Sequence, residues 1–393
     1  MITQSNNIEE TPIEAGPTVE PEDTEAEERI VKPWDPKHIR ITTKNFTIRE
    51  IFTQIEEGDL DLAPDFQRSF VWKDKQQIRL IESILLGIPL PAFYFNQDGL
   101  GAQQVIDGVQ RLTTVKLFMN DALVLTEQHL EYLMSLKGLK FTTLDTATKR
   151  RFTSTQIVAH VIEPQTPDDV KYDIFNRVNT GGSPLTAQEI RHCMSKTKSR
   201  SFLKSLVERD SFDRATDYAF WKRAAGGELV RNNDRMSNRE MALRFCAFRN
   251  VSYEEYAQAT SLDAFLLDYT RKIDSSEANA DTGEPNLSTL EVAFERAMVN
   301  CATILDQGAF RRWPLGAQRR GPINRAIFES HALALADYEL EELIPHKEEI
   351  AAAFRNLLSQ AEYDNSVKSG TGDVRKLQCR LEMPRTLLAK LLS

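Results

Sequence analysis

Between Val105 and Val115 the chain changes its hydrophobic period, and it does so across a single Asp-Gly step. Val105 and Ile106 end a β-branched run, whereas Leu112, Val115, Leu117 and Phe118 recur at helical spacing. Asp107-Gly108 between them is a strong turn signal. Strand, tight turn and helix are therefore expected to follow one another without a linker. The N–H groups that open such a helix have no internal acceptors and carry the positive end of the macrodipole, so an anion is favoured there. Arg111 in the first turn offers a planar fork suited to phosphate, which makes Asp107 a candidate metal ligand or water-positioning carboxylate. The residues alone allow a plainer reading, in which Asp107 caps the helix and Arg111 lies on the surface.

The flanking sequence extends this unit in both directions. Thr47-Ile48-Arg49-Glu50 has the form of a capping box and opens a short helix closed by Gly58. Gln76 to Leu86 carries Ile78, Ile81 and Leu85 on one helical face, with Gly87 beyond its end. Pro89 and Pro91 lead into a strand at Ala92–Phe95, and a hairpin around Asn96–Gly99 returns the chain to the Asp-Gly turn. A further strand is expected at Gln156–Ile162 and a helix at Asp168–Val178, followed by the Asn179–Pro184 loop. Thr186–Glu189 forms another capping box. From about residue 200 onward the pattern is helical with no convincing strand, with capping boxes read at Ser237–Glu240 and Ser288–Glu291 and a helix start after Ser261.

Charge divides the chain further. The formal net charge is −9, but residues 1–29 hold nine acidic side chains against Arg29 alone, leaving 48 Lys and Arg against 49 Asp and Glu in the body. The body is near neutral, so its basic residues are free to cluster. The expected organisation is a disordered acidic tail over 1–38, a small α/β domain over 39–198, and an all-α domain over 199–393 that the polar stretch near 274–287 could split. No apolar run reaches membrane-span length and no signal-peptide pattern opens the chain, so a cytoplasmic protein is expected. Cys193, Cys246, Cys301 and Cys379 lie far apart without a CxxC pair, which suggests neither a disulfide framework nor a zinc knuckle.

Three polar groupings lie at element ends in the α/β half: Gln67-Arg68, Asp107–Arg111, and Asn176-Arg177 with Asn179–Gly182. Two arginines, several amides and a Gly-Gly loop are the groups a triphosphate site needs. Taken singly, each also suits a capping or surface role. In the helical half, Lys222, Arg223 and Arg231 form one basic cluster and Arg311, Arg312, Arg319 and Arg320 another, with Trp221 and Trp313 beside them. These are candidate DNA contacts, weighed evenly against ordinary solvated helix faces. The six histidines are scattered, and none in the C-terminal half has a partner at metal-ligand spacing, so no HNH nuclease is predicted in this chain.

Four segments, in order, carry a resemblance to a known family: Pro64–Trp72, Leu80–Pro91, Val105–Thr114 and Phe175–Thr186. Together they resemble the N-terminal domain of GmrSD-type modification-dependent restriction systems, whose hallmark is a DGQQR motif and whose fold is similar to ParB and sulfiredoxin. Weaker similarity extends to Arg319–Glu329. The resemblance implies an α+β fold class, a ParB/sulfiredoxin-like domain followed by helices, and a site for a nucleoside triphosphate, with Mg²⁺ as a companion ion. Carried over, the motif falls on Asp107, Gly108, Gln110 and Arg111, with Val109 in place of the first Gln. It gives Asp107, Gln110 and Arg111 catalytic roles. It gives nucleotide contacts to Gln67, Arg68, Gly108, Thr113, Asn176, Arg177, Asn179, Thr180, Gly181 and Gly182. The implied function is a nucleotide-binding sensor or regulatory module of a DNA-directed defence system, with hydrolysis left open by Val109 and any nuclease supplied by a partner subunit. The competing readings are a DNA-binding or protein-interaction scaffold with a vestigial pocket, and direct DNA cleavage by the α/β domain.

Overall fold

The computed structural model describes residues 18–24, 36–62, 72–178, 185–224, 226–232, 235–276 and 285–393. The chain divides into two compact units: residues 31–195, and residues 196–393 joined by the N-terminal segment up to residue 30.

The first unit is a mixed α/β structure. Its elements are β1 (Ile41–Thr47), α1 (Ile48–Glu57), β2 (Leu60–Asp61), α2 (Asp74–Leu86), β3 (Phe93–Gln97), β4 (Gln103–Asp107), α3 (Val109–Met119), α4 (Thr146–Ser154), β5 (Gln156–Ile162), α5 (Asp168–Val178) and α6 (Ala187–Met194). The strands form one sheet in the order β1-β5-β3-β4-β2. β3 runs antiparallel to β4 and parallel to β5, and β1 closes the far side antiparallel to β5. Alternation along the strands sends Phe46, Phe93, Phe95, Val105, Ile157, Ala159 and Val161 into a core with Ile51, Ile81, Leu112, Phe118 and Phe152 from α1–α4. Ile41, Thr43, Asn45 and Val158 point the other way and are exposed.

Local signals are met where sequence chemistry is decisive. Thr47 caps α1 through a reciprocal box with Glu50, Thr186 does the same for α6 with Glu189, and Gly58 and Gly87 end their helices in the left-handed conformation. A carboxylate organises one long connection. Glu82 of α2 accepts hydrogen bonds from the N–H groups of Glu131, Tyr132 and Leu133 at 2.7–3.1 Å, which holds its carboxyl below the usual glutamate range although burial opposes the shift.

The second unit is built from α7 (Thr197–Val207), α8 (Asp210–Ala215), a hairpin of β6 (Trp221–Arg223) and β7 (Leu229–Arg231), α9 (Ser237–Phe248), α10 (Tyr253–Gln258), α11 (Leu262–Ser275) and α12 (Leu287–Asn300), followed by α13 (Arg325–Leu335), α14 (Leu340–Leu343), α15 (Lys347–Leu357), α16 (Ala361–Lys368) and α17 (Val374–Leu391). The α/β unit followed by a helical unit is the expected architecture, and of it only the reading that no strand follows residue 200 changes, because Trp221 pairs with Arg231 and Arg223 with Leu229. Two cap assignments also change. α9 starts after Met236 without a side-chain cap, because Glu240 is drawn to Arg244, and α12 is capped by Asn286 rather than by Ser288. One hydrophobic core includes Leu266 and Ile273 before the 274–287 stretch and Leu290 and Phe294 after it, so the helices do not split there.

The largest departure concerns the acidic tail. Its described residues 18–24 are a strap packed into the helical unit. Val19 is only 6% exposed, the Glu20 N–H donates to the Ile323 carbonyl at 2.7 Å, and the Thr371 N–H donates to the Asp23 carbonyl at 3.1 Å. At Gly372 a Cβ would come within 2.4 Å of the Thr24 carbonyl oxygen, so the close approach of the strap needs glycine there. Glu22 enters a buried centre in which Arg244 binds Glu22, Glu240 and Glu329 at 2.7–2.9 Å, Arg380 binds Glu329 at 2.6 Å, and Arg325 reaches Glu240 at 3.6 Å. Composition alone reads this segment as solvated. The buried Arg244 reverses that, because a guanidinium removed from water needs carboxylates around it.

Burial alone would raise the Glu22 carboxyl, but the Arg244 charge and hydrogen bond overcome it and hold the group below the usual glutamate value. A depressed folded-state value gives a stabilisation that is complete above the unfolded-state value and lost as pH falls through the folded one. We therefore expect Glu22→Ala to destabilise the helical unit by about 3 kcal/mol at pH 7. The gap to the wild type should narrow as pH falls below about 4. Urea unfolding across a pH series measures both; a pH-independent gap, or none at all, would contradict the buried pairing.

Candidate functional site

β4 ends at Asp107 and α3 begins two residues later, so the whole reversal rests on Gly108. Its φ of 100° lies in the left-handed region, and a Cβ there would sit 2.3 Å from Phe93 Cδ1 and 2.7 Å from Cε1. Space and backbone conformation both demand glycine. Gly108 is the N-cap of α3 and provides no side chain, so Asp107 is not the helix cap. The N–H groups of Val109, Gln110 and Arg111 are those that open the helix.

Arg111 locks the turn. Its Nη1 donates to the Pro91 carbonyl, and its Nη2 donates to the Ala92 carbonyl at 3.2 Å and to Asp107 Oδ2 at 2.9 Å. The guanidinium carbon lies 4.1 Å from the centroid of the Phe93 ring, a cation–π contact. Its side chain is only 12% exposed, against 35% for Asp107. Burial lowers the Arg111 value and Asp107 partly offsets this, leaving a cation at any physiological pH. Most of its fork is thus committed within the protein, so Arg111 acts first as a positioning residue. Asp107 uses Oδ2 for this contact and presents a second oxygen, which suits the Mg²⁺ habit of taking one carboxylate together with substrate phosphates. Among the described residues, no three His, Cys, Asp or Glu side chains gather into a metal-holding group. Gln110 Oε1 is buried without a hydrogen-bond partner, an acceptor left unused by the fold. Thr113 is half-buried further along α3.

The other sequence-predicted groups are only partly visible. Gln67 and Arg68, and Asn179, Thr180, Gly181 and Gly182, lie outside the described residues. Asn176 and Arg177 fall in the last turn of α5, with Arg177 exposed.

Sheet register adds residues that sequence reasoning missed. Tyr94 of β3 is the pairing partner of Asp107, with a register shift between Tyr94 and Phe95 that accommodates the end of β4. Tyr94 is also aligned with His160 of β5, and His160 with Thr43 of β1. The Tyr94 and His160 rings are 4.9 Å apart between centroids, and Thr43 Oγ1 lies 3.0 Å from His160 Nδ1. The one available signal was alternation: Tyr94 stands between the buried Phe93 and Phe95, and His160 between Ala159 and Val161.

In the helical unit the predicted basic residues are largely engaged. Arg231 binds Asp213 and the Glu208 carbonyl (2.6 Å) and covers Trp221, Arg312 binds Asp364, and Arg320 binds Asp217 and the Gln307 carbonyl (3.1 Å). Arg311 donates to the Gly321 and Thr216 carbonyls at 3.3 and 3.2 Å; burial first, then neighbouring Arg320, lowers its value to about 10 against the pull of Asp217. Arg319 likewise has interactions within the protein. Lys222 and Arg223 stay exposed on the β6–β7 hairpin, beside exposed Leu229. Trp313 is covered by Arg355 at 4.1 Å rather than presented for stacking. His331 is a core residue that accepts from the Phe310 N–H at 3.2 Å, and burial pushes its value down to about 3, so it stays neutral.

Gly108 and Gly87 provide a paired test of the turn. Both have positive φ, but a Cβ at Gly87 meets nothing within 4 Å. Gly87→Ala should therefore carry only the left-handed backbone penalty, about 1 kcal/mol. Gly108→Ala should cost clearly more, roughly 2–4 kcal/mol, because Phe93 must also move. Equal losses in chemical denaturation would show that the Phe93 contact does not constrain the turn.

Comparison with known proteins bears on this unit alone. A search of curated proteins found no match to the chain. Among the described residues, no helix is long and apolar enough to cross a membrane. Residues 48–195 match the sequence model of the GmrSD restriction endonuclease, N-terminal domain, family. That span runs from the first residue of α1 to the last residue of the α/β unit and contains the Asp107–Arg111 turn. This segment of the chain is therefore similar to the N-terminal domain of GmrSD restriction endonucleases, and that match is the chain's association with restriction systems.

Proposed function

We propose that the α/β unit binds a nucleoside triphosphate with its phosphates at the start of α3, and that the protein is a cytoplasmic, nucleotide-dependent regulatory module of a DNA-directed defence system. The observation that carries this reading is the turn itself, a strand end, a positive-φ glycine and a locked Arg111 within the segment that matches the GmrSD family. Anchoring by Arg111 fixes where the opening N–H groups of α3 point, and such a start favours phosphate. Asp107, held on one oxygen, would share a Mg²⁺ with the phosphates. The cutting activity of such a system would lie in a partner subunit.

A second reading, a scaffold without turnover, is favoured by one observation: most of the Arg111 fork is spent inside the protein, and Val109 removes an amide from the motif. Calorimetric titration with each nucleoside triphosphate and Mg²⁺, run beside phosphate-release assays, separates the two. The expected result is micromolar binding that Asp107→Asn makes less dependent on Mg²⁺ and that depletes any turnover. Binding without turnover in the wild type would favour the scaffold, and absence of binding for every nucleotide would overturn the proposal.

For DNA, the exposed hairpin is the best-placed contact, through Lys222 and Arg223. Charge reversal of both should weaken DNA binding and flatten the slope of log affinity against log salt by about 2, the value expected for two lost phosphate contacts. An unchanged salt slope would remove the hairpin from the interface.

A further inference from the structure

The Thr43–His160–Tyr94–Asp107 row crosses four neighbouring strands, and its aromatic members lie on the sheet face opposite the α1–α4 core, which is covered at Gln104 and Ile162 and only partly open at the row itself. Tyr94 and His160 are half-buried there, while Thr43 and Val158 beside them are exposed. The two half-buried rings are inclined by 47°, so a base can stack on one of them while its edge rests against the other, a contact that tolerates any base. Thr43, bonded to His160 Nδ1, fixes the orientation of the imidazole and leaves Nε2 for another partner. His160 and Asp107 are separated by two strand spacings, roughly 10 Å, with Tyr94 between them. Asn96, two residues along β3 on the same face as Tyr94, keeps a buried Oδ1 without a hydrogen-bond partner.

The geometry points to Tyr94 and His160 as the base-binding floor of the site: a ligand whose phosphates lie at the α3 start would lay its nucleobase over Tyr94 and against His160. This rests on the nucleotide reading above and deepens it, since it makes the site selective for nucleotides over bare polyphosphate. Stacking on one ring corresponds to about a tenfold gain in affinity.

The full-length protein tests this with two probes, a nucleoside triphosphate and inorganic tripolyphosphate, each with Mg²⁺. The wild type should bind the nucleotide about tenfold more tightly than tripolyphosphate. Tyr94→Leu and His160→Leu should lose that preference while binding tripolyphosphate unchanged, and Tyr94→Phe should keep it. Should Tyr94→Leu fail to fold, the wild type still decides: the His160 ring-proton resonances should shift with the nucleotide and not with tripolyphosphate. Retained preference in both leucine variants, or a His160 signal indifferent to the base, overturns the stacking floor alone. Absence of binding to either probe in the wild type overturns the nucleotide reading as well.

Discussion

The guanidinium of Arg111 is the contact on which the β4–α3 edge of the α/β unit depends. It ties the end of β4, the first turn of α3 and the Pro91–Ala92 approach to β3 into one fixed junction, with the Phe93 ring beneath. Phe93 also excludes any side chain at Gly108, so a strand residue sets the identity of a turn residue fifteen positions later. Arginine suits this better than lysine because a planar fork can serve two carbonyls and a carboxylate at once. What the turn offers a ligand is therefore mainly oriented backbone N–H groups and one carboxylate oxygen.

The helical unit relies on a different device. Three arginines and three glutamates from α9, α13, α17 and the N-terminal strap neutralise one another in the interior. Buried ion pairs of this kind contribute little net stability compared with apolar packing, but each partner penalises any arrangement that leaves the others unpaired. The centre thus selects one packing of the helices around it. It also explains the Arg319–Glu329 segment in structural terms. Ile323 receives the strap, Asn324 caps α13 and bonds Glu20, and Glu329 joins Arg244 to Arg380.

Much of the first unit was legible in the sequence because its signals are local. Capping boxes at Thr47 and Thr186, left-handed glycines at 58 and 87, and the period change at Gly108 each act within a few residues. Strand β5 was read at its observed bounds from β-branched alternation stopped by Pro164. What escaped was set by distant partners. β1 gains its status from pairing with β5 more than a hundred residues away, and the three-residue strands of the β6–β7 hairpin are too short to show a period. Arg111 looked like a free phosphate ligand because the Pro91 and Ala92 carbonyls that take it up have no signature in side-chain sequence. Tyr94 and His160 join only through register, and a single strand does not specify which strand will lie beside it.

The strap also sets an order of events during synthesis. Glu22 leaves the ribosome 349 positions ahead of its partner Thr371, and Arg380 follows later still. The α/β unit has all of its strands available once residue 162 has emerged, whereas the helical unit cannot close its charged centre until Arg380 has followed. Domains that finish early fold as units during synthesis, and long-range closures come last. Through that interval Glu22 and Arg244 wait for Glu329 and Arg380, so the helical unit remains an open intermediate while the unit encoded between its two parts is already formed.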